Sequence, residues 1–173
     1  MGRPDRRAVL ASALTLVGAA AGCAQFERAS STQSGQTGTT DDADETPMTD
    51  LDLREANVTA VEIEDRGDGE YRFDVTLYHD DDGEDGYANW WQVETIDGEQ
   101  LGRRELLHAH STDPFTRSET ISIPDGVDCV VVRGHDQTHG YGGQAMTVSV
   151  PDGATNAVRQ GSDRSPIQAS DCP

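Results

Sequence analysis

Tyr71-Arg72-Phe73-Asp74-Val75-Thr76-Leu77-Tyr78-His79 alternates without a break. Tyr71, Phe73, Val75 and Leu77 fall on one side, Arg72, Asp74 and Thr76 on the other. That period of two describes a strand with one buried and one wet face. The same pattern recurs on both sides of it. Val61 and Ile63 share a face near 58–65, and Asn89–Ile96 (NWWQVETI) is a third run. Arg103–His110, Glu119–Ile123, Val127–His135 and Gln144–Val150 follow. Trp90-Trp91 puts one indole on each face of its strand. One is expected in the core, the other exposed or covering the histidine region.

Turn residues separate these runs: Asp65-Arg66-Gly67-Asp68-Gly69, Asp80–Gly86, Asp97-Gly98, Pro124-Asp125-Gly126 and Gly140–Gly143. Asp-Gly and Gly-Gly pairs supply the positive φ that tight hairpins need. No window carries a helical period. The expectation is all-β: a single immunoglobulin-like β-sandwich of about seven strands over residues 51–150, with a small β-barrel as the alternative. Residues 151–173 read as a loose polar tail.

The chain has 13 Arg and no Lys against 32 acidic residues, a net charge of −19 and a pI near 4.3. Ordinary proteins use Lys heavily. An acid-coated, Lys-free surface is that of an extreme halophile, where salt screens charge over a few Å. The same surface argues against nucleic-acid binding, which needs a basic face.

Residues 1–22 read as an address. Arg6-Arg7 opens an apolar stretch, Ala8–Ala21, shorter than the ~20 residues a spanning helix needs. It ends in Ala20-Ala21-Gly22-Cys23, which resembles a lipobox after a twin-arginine signal. Cys23 is then lipidated, and the domain sits on the outer face of the cell membrane. Residues 23–50 read as a lipidated Cys and a disordered acidic linker rich in Ser, Thr and Gly, and 28–47 within it as a flexible tether expected to lift the domain by roughly 25 Å. With Cys23 acylated, Cys129 and Cys172 are left to pair, or to stay a buried small side chain and a free thiol. Asn57-Val58-Thr59 matches an N-glycosylation acceptor.

His108-Ala109-His110 and His135-Asp136-Gln137-Thr138-His139 hold four of the five histidines. On a strand, His108 and His110 share a face, and His135 and His139 at a strand end would close on them. Three or four convergent imidazoles suit Cu or Zn. Asp136, Arg117 and Arg133 would then orient the ligands. The competing reading is a polar network that braces loops. The acidic loop His79–Gly86 fails the calcium-loop spacing in every register and reads as a solvated turn. No nucleophile elbow or phosphate loop occurs.

The pieces Leu107-His108-Ala109-His110, Pro114-Phe115-Thr116-Arg117-Ser118, Ile123-Pro124 and Arg133-Gly134-His135-Asp136 through His139-Gly140-Tyr141-Gly142-Gly143 resemble an uncharacterised family of small exported proteins of bacteria and haloarchaea. The family pattern is similar to LLHPH…EQPFTRS…IP…VRAHD..HGYGG. Here Ala109 stands where Pro is frequent, and Thr112-Asp113 where Glu-Gln is usual. The resemblance implies that His108, His110, Arg117, Arg133, His135, Asp136 and His139 form one site or structural knot. It brings no activity.

Three functions are therefore in play. The first is a membrane-anchored lipoprotein handling Cu or Zn, or supporting redox chemistry, at the cell surface. The second is a non-enzymatic interaction module docking a membrane or surface protein. The third is a metal-dependent enzyme with Asp136 or Glu105 as base.

Overall fold

A computed structural model describes residues 50–81, 83–110 and 112–173. The twin-arginine segment, Cys23 and the tether up to residue 49 lie outside the described residues.

The strands are β1 (Asn57–Gly67), β2 (Glu70–Tyr78), β3 (Ala88–Thr95), β4 (Gln100–Glu105), β5 (Phe115–Ser122), β6 (Cys129–Asp136), β7 (Gly140–Tyr141), β8 (Gln144–Ser149) and β9 (Thr155–Arg159). They form two antiparallel sheets, β1-β2-β5 and β4-β3-β6-β8-β9, with β7 paired to β6. The sheets pack face to face and do not close, so the fold is a sandwich and not a barrel.

The period-two reading explains the core. Phe73, Val75 and Leu77 of β2 are fully buried and meet Trp91, Val93, Val130, Val132 and Val148 of the larger sheet. Each such side chain contributes about 1.5–3 kcal/mol through its removal from water. On the outer face of β2, Arg72 pairs with Asp74 at 2.9 Å and Thr76 hydrogen-bonds Thr116 at 2.8 Å.

Two strands depart from expectation. The fourth run is a strand only over Gln100–Glu105. Glu105 pairs with Trp90, and the Leu106 amide donates to the Asn89 carbonyl at 2.9 Å. There β3 is nearly at its start, and the ladder ends. Leu106 then turns into the core while Leu107 is 80% exposed. His108 and His110 therefore sit on an irregular segment and not on a strand. The fifth strand begins at Phe115, earlier than the alternation indicates, because its core-facing side carries the polar Arg117 and Glu119 beside Val75 and Phe73.

Residues 151–173 are not a loose tail. β9 pairs with β8 from Val148↔Thr155 to Gln144↔Arg159. Ile167 is buried against Val131 and Ala145 on the outer face of the larger sheet. The Thr147 hydroxyl donates to the Asp171 carbonyl at 2.6 Å, and Cys172 is disulfide-bonded to Cys129, with a Cα–Cα distance of 6.3 Å. A short hairpin and one covalent link fasten a polar segment that has too little apolar surface to advertise itself.

Candidate functional site

The segment before β1, the β2–β3 connection, the β4–β5 connection and the β6–β7 turn meet at one end of the sandwich. Here a chain of histidines and carboxylates runs inward from the surface. His79 continues the inward series Tyr71, Phe73, Val75, Leu77 by one more step of two, and its side chain is 1% exposed. Its Nδ1 contacts Asp81 Oδ1, and its Nε2 lies 3.0 Å from Asp136 Oδ2. Both carboxylates are fully buried as side chains. The contacts are ion-pair approaches without linear N–H···O alignment.

Backbone amides hold both acids in place. Asp81 Oδ1 accepts from the Ala88 amide and Oδ2 from the His110 amide, both at 3.0 Å. Asp136 Oδ1 accepts from the Thr138 amide at 2.7 Å and lies 3.0 Å from His139 Nδ1. Burial opposes charge on His79, but Asp81, Asp136 and Asp80 outweigh it and hold its pKa above the usual histidine value. Burial also works against ionised Asp81, yet His79 and the two amides lower its pKa. The two acids flanking His79 thus favour its charged form. The unit ties the β2–β3 connection to the end of β6, and through the His110 amide to the β4–β5 connection.

The glycines of the His139-Gly140-Tyr141-Gly142-Gly143 motif serve packing. A Cβ on Gly142 or on Gly134 would collide with the Ala56 carbonyl that leads into β1. The Gly142 amide donates to the Gly134 carbonyl at 3.0 Å.

His110 stacks on Phe115 with ring centroids 4.2 Å apart, and on His108 at 4.8 Å. Burial, then Arg117 and His108, push its pKa below the usual value. Its Nδ1 lies 3.8 Å from Asp81 Oδ2. His108 is exposed and turns Nδ1 to the Ala109 carbonyl at 2.9 Å.

His135 belongs elsewhere. It neighbours Asp136 on β6, so the two side chains leave opposite faces of the sheet. His135 stacks on Trp90 at 4.2 Å, and its Nδ1 is 2.8 Å from Asn89 Oδ1. Arg103 covers Trp90 at 3.9 Å. Trp91, one residue on, is core. Arg133 also faces outward, where its Nε lies 2.9 Å from buried Glu94 and Arg164 completes the group at 2.5 Å.

The fold thus joins His79, Asp81, Asp136, His139 and His110 in one chain. It places His135 and Arg133 on the other side of β6. His108, His110, His135 and His139 do not converge on a common point, and among the described residues no three His, Cys, Asp or Glu side chains gather in metal-binding geometry. Asn57, matched as a glycosylation acceptor, is fully buried, and its Nδ2 donates to the Glu55 and Asp52 carbonyls at 2.7 and 2.8 Å.

The sequence reading of His79–Gly86 as a solvated turn fails for His79 and Asp81, which are buried, and Glu94 and Arg164 were given no role. The signal for His79 was present: a histidine on the inward register of an apolar strand needs a buried partner, and Asp81 is the next inward position.

Fold and site together define a two-sheet β-sandwich with a buried Asp–His–Asp clasp at one end. The chain is 62% identical over 131 residues to a protein of Halomicrobium mukohataei described as "Putative lipoprotein". The match takes in 76% of this chain and 65% of that protein's length. No family model matches, and no solved structure matches.

Proposed function

We propose that this protein is a haloarchaeal lipoprotein, exported by the twin-arginine route and held on the outer face of the cell membrane by a lipid on Cys23. Its domain is a non-enzymatic interaction module, and the buried Asp–His–Asp unit braces the loops that the module presents. The observation that carries this reading is His79, engaged on both ring nitrogens by Asp81 and Asp136 with all three side chains at most 1% exposed. A group so enclosed has no face left for a substrate, and its neighbours are spent on backbone amides. The lipobox, the Lys-free acidic composition and the relative's description support the location.

Two measurements test it. Cys23→Ser is expected to release the protein from the membrane fraction into the medium. A protein that stays membrane-bound would refute the anchor. Protein purified without chelator is expected to carry neither Cu nor Zn in stoichiometric amount. One equivalent of either metal, lost in His108→Ala/His110→Ala, would replace the bracing role with metal handling.

A further inference from the structure

The described residues contain nine arginines, and eight of them lie within 4.0 Å of a carboxylate. In a chain with 32 acids against 13 Arg, that is the expected fate of a guanidinium. Arg117 is the exception: among the described residues no carboxylate reaches it. One NH1 hydrogen bond goes to the Thr116 carbonyl at 2.7 Å. The rest of its planar fork has no described acceptor.

Arg117 does not point to open solvent. Its Cα pairs with Val75, so it leaves the core-facing side of edge strand β5. It is half-buried, with its guanidinium 5.5 Å from the Phe115 ring. It faces a groove of about 440 Å³ where β4 and β5 part, lined also by Arg104, His108, His110 and Glu119. Arg104 spends NH1 on Glu119 at 3.2 Å. Leu107, 80% exposed, stands at the rim. Three guanidiniums, two imidazoles and two carboxylates line this one concavity; Glu105 lies 3.8 Å from Arg103 and Glu119 3.2 Å from Arg104, which leaves Arg117 as the cation not matched by either.

We propose that this groove binds an oxyanion of the phosphate class, with the Arg117 fork as its main contact and Arg104 and His108 at its sides. A guanidinium presents paired N–H donors at the spacing of two oxyanion oxygens, so it recognises phosphate bidentately. In molar salt, long-range attraction is screened within about 3 Å, and only such direct contacts discriminate. A half-buried, unneutralised arginine is an unfavourable arrangement that an incoming anion relieves. The phosphate is either free or the headgroup of a membrane lipid, to which Leu107 at the rim would add an apolar contact. The groove meets the buried clasp only through His110, whose amide holds Asp81; neither Arg117 nor Arg104 contacts His79, Asp81 or Asp136 among the described residues.

The test uses the full chain carrying Cys23→Ser, kept in molar KCl throughout. Inorganic phosphate is titrated calorimetrically, and co-sedimentation is measured with phosphatidylglycerol and phosphatidylcholine vesicles. Saturable phosphate binding is expected, weakened about tenfold or more in Arg117→Gln and less in Arg117→Lys, which keeps the charge but not the fork. Arg66→Gln, at a paired surface arginine, should bind as the parent does. Phosphate binding without vesicle binding assigns a free anion. Sedimentation with phosphatidylglycerol alone, lost in Arg117→Gln, assigns a headgroup. The absence of both, or equal affinity in Arg117→Gln and the parent, overturns the site. Thermal melts of each variant separate loss of binding from loss of fold.

Discussion

His79→Ala removes the cation from between two buried carboxylates. Asp81 and Asp136 keep their backbone amides but lose the charge that balances them. Breaking a buried pair from one side costs about 3–5 kcal/mol, because the survivor stays buried and uncompensated. A domain of this size has roughly 6–18 kcal/mol of total stability. At about 4 °C per kcal/mol, the melting temperature should fall by roughly 12–20 °C. The direction with pH is fixed by the raised pKa of His79. A base whose folded pKa exceeds its unfolded value stabilises fully below the unfolded value, near 6.5, and the contribution fades as pH rises through the folded one. The gap between parent and His79→Ala should therefore be widest near pH 6 and shrink toward pH 9. Salt should leave it largely intact, since buried pairs are poorly screened. Thermal melts followed by tryptophan fluorescence at both pH values in molar KCl measure this. A shift under about 3 °C at pH 6, or a gap that widens with pH, would refute the ion-pair account.

Three further outcomes are expected. Cys129→Ser/Cys172→Ser should lose about 4 kcal/mol, the chain-entropy value for a 43-residue loop, read from denaturant midpoints of parent and variant. Glu94→Ala should cost about 3–5 kcal/mol by leaving buried Arg133 without its counter-ion, measured the same way. Gly142→Ala should cost about 3 kcal/mol or more, since the added carbon meets the Ala56 backbone. Gly126→Ala, with open space but a φ of +84°, should cost only about 1 kcal/mol, and equal losses at the two glycines would discount the close approach.

The sandwich was legible because period two is a local property. Phe73, Val75 and Leu77 announce their face whatever their neighbours do, and the flanking Asp-Gly turns mark where the chain reverses. Composition likewise carried the reading of a halophilic surface, and residues 1–23 carried the proposal of an export and lipid signal, without reference to the fold. The site was not legible in the same way. His108 and His110 looked like a strand pair until β3 ran out of residues to pair with β4 beyond Glu105. His135 and His139 looked like partners, yet adjacent His135 and Asp136 must leave a strand on opposite faces, and the sheet sends one to Trp90 and the other to His79. Arg117 carried no local mark at all: that no carboxylate reaches it among the described residues follows from where the described acids end up. Alternation and composition are written into near neighbours. Which charge meets which is fixed by contacts between residues dozens of positions apart, and only sheet pairing brings those together.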